Sequence, residues 1–502
     1  MTDELFEQRL RRDLRRLADE MLGGPLAAGS PAGAGRWRRS ARALAGGHGT
    51  TAAVSAHRQP VRLRRARSVL SPAFSRTLAV VWVVVAVCLV GSGVVAGRVL
   101  TATPTNLNSE PAVATLSDVP GPLAFFSGSR LYAAEPGSAP RPVIRVGDPG
   151  SAPQWSADNT WIAYLGSGGH LHLVRPDGAE AHLALSATVT AMTWSPASNL
   201  LAVVPASGPM SDDLVLVKVG ATTSTPTVVA THLSSFVWSA DGRQIAFGIG
   251  GVGSQPDRLF VYNVVSGVTT PLSYTPPPGT GAMLASWWPD GSGLLLWLDP
   301  GRSPAAESTG LQLVSVPLDG TGALALARTF VYLPWLAWSP DGHRLALVAQ
   351  SGSFPWQGSR VEVCRPASGT CTSMAQPAGT VSLDPAWSPG GGRLAFVRAP
   401  VLSSSSPGGG LDHWYAGRRL WIASADGANA HPVAGARAGA AQPAFGPSGR
   451  SIVYVTADAV HAVAAAGGHD KVLVRGLGGA LDTAGPDGYG KLPWGGTAVW
   501  GS

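Results

Sequence analysis

The chain has 502 residues, 45% of them hydrophobic and 13% charged, with a formal net charge of +7. That apolar content is too high for a disordered chain, and three cysteines are too few for a disulfide-built scaffold. The basic excess is local: residues 1–76 hold 15 Arg, no Lys and six acids, a net of +9, so the rest of the chain nets −2.

From residue 3 to residue 22, Phe6, Leu10, Leu14, Leu17 and Met21 recur at helical spacing, while Glu7 and Arg11, Arg9 and Asp13, Arg15 and Asp19, and Arg16 and Glu20 oppose charges four residues apart. An amphipathic helix is expected there. A lone helix of that length is marginal in water, so its stripe calls for a second copy, a cytoplasmic partner or a membrane surface. Residues 23–60, rich in Gly, Ala and Ser, read as a linker. Residues 77–97 carry no charge and reach about 31 Å as a helix, enough for a hydrocarbon core of about 30 Å. Their distance from the start fits a retained signal-anchor better than a cleaved leader. The positive-inside rule then puts residues 1–76 in the cytoplasm and the chain after the span outside the cell membrane, as a single-pass protein. Arg62, Arg64, Arg65, Arg67 and Arg76 sit beside the span, where anionic lipid rather than nucleic acid is the expected contact. Residues 98–120 form a second linker.

Beyond residue 121 one pattern repeats: a strand ends at Trp155, Trp194, Trp238, Trp287, Trp338 and Trp387, and a Ser-Pro-Asp-Gly-like turn returns the chain into an apolar strand. Phe445 occupies the same slot in a seventh copy. The spacings of 39, 44, 49, 51, 49 and 58 residues suit a four-stranded β unit. The aromatic residues are expected to fill the gap between neighbouring units, and Asp241, Asp290 and Asp341 to serve the turns. Trp500 looks like the start of another copy, completed by the strand pair at residues 123–126 and 131–134 near the beginning. An all-β, eight-bladed β-propeller over residues 121–502, closed by its C-terminal strand, is the resulting expectation, with a seven-bladed ring as the alternative.

The W-S-P-D-G-x-x-[LI]-A-[FYL] units resemble the TolB-type, WD-repeat-like propeller family, also found in propeller domains of prolyl oligopeptidase relatives. The resemblance covers residues 121–502 and implies a binding module; fold alone assigns no activity.

Cys364 and Cys371 flank six residues on what reads as one hairpin, and their pairing is expected in an oxidising compartment; Cys88 lies within the span. His48 and His57 stand without a cysteine pair, so neither metal nor cofactor is expected. No G-x-S-x-G elbow is present and the histidines are scattered, so no enzyme is expected. Loops lengthen in the later units, at residues 248–258, 299–310, 350–360 and 398–419. Phe354, Trp356, His413, Trp414 and Tyr415 on the last two are candidate anchors for a protein, peptide or cell-envelope ligand. The leading functional expectation is therefore a membrane-anchored extracytoplasmic propeller that binds such a ligand without catalysis. The alternative is a transmembrane signalling regulator, anti-sigma-like, whose N-terminal helix holds a cytoplasmic partner.

Overall fold

In the computed structural model, residues 118–477 and 498–500 are described, apart from 148, 150, 181–187, 207–211, 221–225, 252–253, 303–309, 353 and 403–409. The helix at residues 3–22, the span at 77–97, most of the linker at 98–120 and Cys88 lie outside them. Among the described residues no helix is long and apolar enough to cross a membrane. The single-pass topology, the extracytoplasmic placement and the membrane contact are accordingly withdrawn.

The described chain is built of antiparallel sheets that follow one another in sequence. The first is the meander Leu123–Ser127, Arg130–Ala134 and Arg141–Arg145, whose leading strand also pairs with Ala498–Trp500. Gln154–Trp155, Ile162–Leu165 and Leu171–Val174 make a three-stranded second sheet. Two four-stranded meanders follow, Val189–Trp194 to Thr227–Ala230 and Leu233–Trp238 to Thr269–Pro271. The next two units, Thr280–Trp287 to Leu324–Thr329 and Leu336–Trp338 to Thr370–Ser373, are joined into one sheet by the single pair Thr329 and Ala349. Thr380–Trp387, Arg393–Pro400, Arg419–Ser424 and His431–Pro432 precede the last sheet: Ala441–Phe445, Ser451–Val455, Ala459–Ala464 and Lys471–Arg475.

The repeat works at two levels. Within a unit, the turn is closed by side chains: the Ser239 hydroxyl accepts from the Gln244 amide (2.9 Å), and the Asp241 carboxylate from the Arg243 amide (3.0 Å). Gly242 has a φ of 66° there, and a Cβ would meet the Ser195 hydroxyl at 2.6 Å, so only glycine fits. Between units, the repeat tryptophans act as bolts. Each is the last residue of its strand, and Trp194, Trp287 and Trp387 donate Nε1–H to the carbonyls of Gln154 (3.1 Å), Val237 (3.1 Å) and Ala337 (2.9 Å). Trp338 donates to the Ser286 hydroxyl at 3.0 Å. Every acceptor is the residue just before the preceding repeat tryptophan. Trp155, Trp194, Trp238, Trp287, Trp387 and Phe445 are buried, whereas Trp338 and Trp500 are half-buried.

The apolar cores accordingly lie between sheets rather than inside one. Phe236 and Trp238 pack on Ala202 and Leu214 of the preceding sheet, and Leu123 and Phe125 pack with Val453 and Leu473 of the last. The expected eight-bladed propeller and its seven-bladed alternative are nonetheless corrected to a coarser description. The sheets are open ladders that do not close on themselves, ending on strands such as Thr227–Ala230 and Lys471–Arg475. The reason is physical: a repeat period specifies the strands and hairpins of one unit, and hydrogen bonding stops at the unit's outer strand.

Candidate functional site

The five loop residues expected to present a binding surface are placed mostly inward. Trp414 is fully buried on helix α1 (Gly410–Gly417), and Trp356 and Tyr415 are 4% and 8% exposed. Phe354 is half-buried and stacks on Trp356 at 5.0 Å; Trp356 meets Trp414 edge-on at 6.2 Å, and Trp414 meets Tyr415 at 5.2 Å. Trp414 donates its indole N–H to the Pro400 carbonyl at 2.8 Å. His413 alone of the five is exposed. Each of these rings removes 150–250 Å² from water when buried, which explains why the long loops fold back onto the scaffold instead of holding the rings out. Trp356, Trp414 and Tyr415, with Phe354 packed against them, form one core cluster with Val381, Val397 and Ala441.

Cys364 and Cys371 stand directly opposite each other on Arg360–Arg365 and Thr370–Ser373 and are disulfide-bonded. Glu362 lies close enough to share a metal ion with both sulfurs, but the sulfurs are spent on each other, and its carboxylate accepts from Arg360 Nε and Ser373 Oγ, both at 2.8 Å.

A cleft of about 520 Å³ opens beside this aromatic cluster, between the last two sheets. Its walls come from the end of helix α1 (Tyr415, Arg418), the segment Arg437–Gly439, the hairpin turn Thr456–Ala459, and the strands carrying His461 and Arg475. Arg437 and Arg475 bring two positive charges to its wall against Asp458, Arg418 lies buried in the wall beside them, and two further carboxylates stand behind. Asp384 is the first. It is buried, has a φ of 51°, and accepts from Trp335 Nε1 at 2.6 Å and the Gln442 amide at 3.0 Å. Arg418 is fully buried between this acid and the rings of Tyr415 (4.9 Å) and Trp414 (5.8 Å). Burial pulls its guanidinium pKa down, and Asp384, Tyr415 and Tyr332 push it back up. Burial, then the charge of Asp384, raises the Tyr332 hydroxyl.

Asp470 is the second. His461 Nδ1 meets its Oδ2 at 2.8 Å, the Tyr454 hydroxyl donates to its Oδ1 at 2.5 Å, and Arg437 Nε lies 3.6 Å from Oδ2. On the other side of the imidazole, His461 Nε2 is 3.0 Å from the Thr456 hydroxyl. The Tyr454 ring stacks on His461 at 5.2 Å, and the Tyr454 hydroxyl also accepts from the Arg437 amide at 2.6 Å. Burial, reinforced by the bond to Asp470, raises the pKa of that hydroxyl. Hydroxyl, imidazole and carboxylate thus stand in line, with the first two facing the cleft.

Apart from Tyr415, none of these cleft residues was among the sequence candidates. They come from positions 384 to 475 with no common motif. One signal was there to read: His461 interrupts the otherwise apolar strand Ala459–Ala464, where a polar ring shut away from water needs partners on both nitrogens.

No family model and no curated protein matches the chain. Among solved structures it is similar to a eukaryotic initiation factor (10% identity, TM-score 0.46, covering 76% of this chain and 90% of that one). It is also similar to dipeptidyl peptidase 4 of Porphyromonas gingivalis (11%, 0.48), covering 72% of this chain and 59% of the peptidase. TolB of Acinetobacter baumannii shares 18% identity at a TM-score of 0.31, over 65% of this chain and 66% of that chain. Likenesses this distant carry no argument, and the TolB-type assignment is withdrawn. The closed ring is not found and no described helix could cross a membrane, so the two functions built on them are not carried further: the anchored propeller binding a protein, peptide or envelope ligand, and the anti-sigma-like regulator.

Proposed function

We propose that the chain is a binding protein for a small anionic ligand, a carboxylate or phosphate, held in the cleft between its last two sheets. The observation that carries this reading is that Arg437 and Arg475, with the buried Arg418 in the wall beside them, line one cavity of about 520 Å³, within the size range of small-molecule sites. Guanidinium groups suit oxyanions because their planar fork donates two parallel hydrogen bonds. Arg418 is braced by the Tyr415 and Trp414 rings and faces Asp384, while Asp470 steadies Arg437, so part of the ordering cost is met before a ligand arrives. Binding of this kind requires no catalytic group. Calorimetric titration with succinate, using neutral glycerol as control, tests it. Saturable succinate binding is expected, weakened at least about tenfold in the Arg437→Gln/Arg475→Gln double variant, since a charge-assisted hydrogen bond contributes roughly 1.5–3 kcal/mol. Equal affinity in the variant, or no binding of succinate or phosphate to the native chain, contradicts the reading.

A further inference from the structure

The line formed by Thr456, His461 and Asp470 goes beyond binding. Three tests distinguish a hydrolytic array from a mere buried polar network: a hydroxyl within hydrogen-bond reach of a base, a third group fixing that base, and an open volume next to the hydroxyl. All three are met. Thr456 Oγ1 is 3.0 Å from His461 Nε2, and His461 Nδ1 is 2.8 Å from Asp470 Oδ2. Asp470 is itself fixed by the Tyr454 hydroxyl, so its carboxylate holds the imidazole with Nδ1–H toward it and Nε2 toward the threonine. His461 and Thr456 are 4% and 7% exposed, and the surface they retain lines the cleft that also holds Arg437 and Arg475.

We infer that Thr456, His461 and Asp470 form an acyl-transfer centre that hydrolyses esters carrying a negative charge, with Thr456 as nucleophile and His461 as base. The Thr456 oxygen attacks the ester carbonyl carbon while its proton passes to His461 Nε2. The carbonyl oxygen takes up the negative charge on the wall shared with Arg437 and Arg475. The bond to the leaving alcohol then breaks, the alcohol receives the proton from Nε2, and an acyl-threonine remains. Water, deprotonated by the same nitrogen, attacks the acyl carbon; the bond from that carbon to Thr456 Oγ1 breaks, Oγ1 takes the proton back from Nε2, and a carboxylic acid leaves. Ester and water give acid and alcohol, with no other reactant. Asp470 is a positioning residue, setting the tautomer and balancing the imidazolium.

The inference uses the cleft of the binding reading but stands or falls separately. The full chain is assayed with p-nitrophenyl hydrogen succinate, an anionic ester, and with a fluorophosphonate probe followed by peptide mass spectrometry. Saturable hydrolysis and a phosphonate adduct on Thr456 are expected. Thr456→Val and His461→Gln should each lower kcat by at least about 100-fold, the scale of a lost nucleophile or general base. Thr456→Ser should restore turnover. Asp470→Asn should lower kcat by a larger factor than it raises KM through the loosened Arg437, a split that a purely structural role would not give. Thr456→Val should still bind succinate, so a silent enzyme that binds overturns this proposal while sparing the binding reading. Native turnover unaffected by Thr456→Val, an adduct on another residue, or no turnover and no adduct in the native chain each overturns it.

Discussion

At the scale of single residues, aromatic side chains do two different jobs. The repeat tryptophans sit at strand ends where a turn motif marks them, and each was legible because its neighbours in sequence are its structural context. Trp356, Trp414 and Tyr415 were not legible in this way. A tryptophan in a Ser-, Gly- and Pro-rich loop has the same local context whether it faces solvent or core, and the decision is taken by residues such as Val381 and Val397, far along the chain. Trp414→Ala should therefore cost about 3–5 kcal/mol in denaturant unfolding, the usual loss for a large buried ring; an unchanged midpoint would return Trp414 to the surface. The turn aspartates carry a second consequence. Burial alone would raise the Asp158 carboxyl, but hydrogen bonds from Thr160, Ser156 and Asn199 outweigh it and hold the pKa down to about 2. A folded-state pKa below the unfolded value near 3.8 means a contribution fully present above that pH and lost as the pH falls through about 2. The melting-temperature gap between the native chain and Asp158→Asn should be widest above pH 4 and close toward pH 2. A gap independent of pH would show that the carboxylate's charge contributes nothing.

At the scale of elements, hairpins and their register follow from alternation and turn chemistry, and these local features were readable. What alternation cannot show is how one unit grips the next. Arg344 lies over the Trp387 ring at 4.6 Å and donates to the Gly391 carbonyl at 3.0 Å, and Arg393 repeats the grip on Phe445 and Gly449. The partners are some fifty residues away in sequence, with no local signal. The disulfide is the opposite case, because eight residues contain the whole element. A bridge enclosing so short a loop restricts the unfolded chain little, so reduction should lower stability by only about 2–3 kcal/mol and leave the sheet folded. Circular dichroism melts with and without reductant check this; collapse on reduction would mean that the ladder at Cys364 and Cys371 depends on the bridge.

At the scale of the whole molecule, a repeat number does not by itself establish a closed architecture, nor a charge-free stretch a membrane protein. The first step needs information about sheet edges that a period does not contain. The second concerns residues outside the described part of the chain. The cleft was hidden for a related reason. Its arginines, its histidine and its acids are ordinary one at a time, and only the packing of the last two sheets, through Phe445, Tyr454 and Val463 against Ala395, Leu420 and Ile422, brings them to one cavity. The central claim is that this cavity receives an anion. Hydrogen–deuterium exchange of the full chain, with and without saturating succinate, locates the ligand directly. The account expects added protection confined to peptides covering residues 415–420, 435–441 and 455–475. Protection centred elsewhere, or none despite binding, would contradict it.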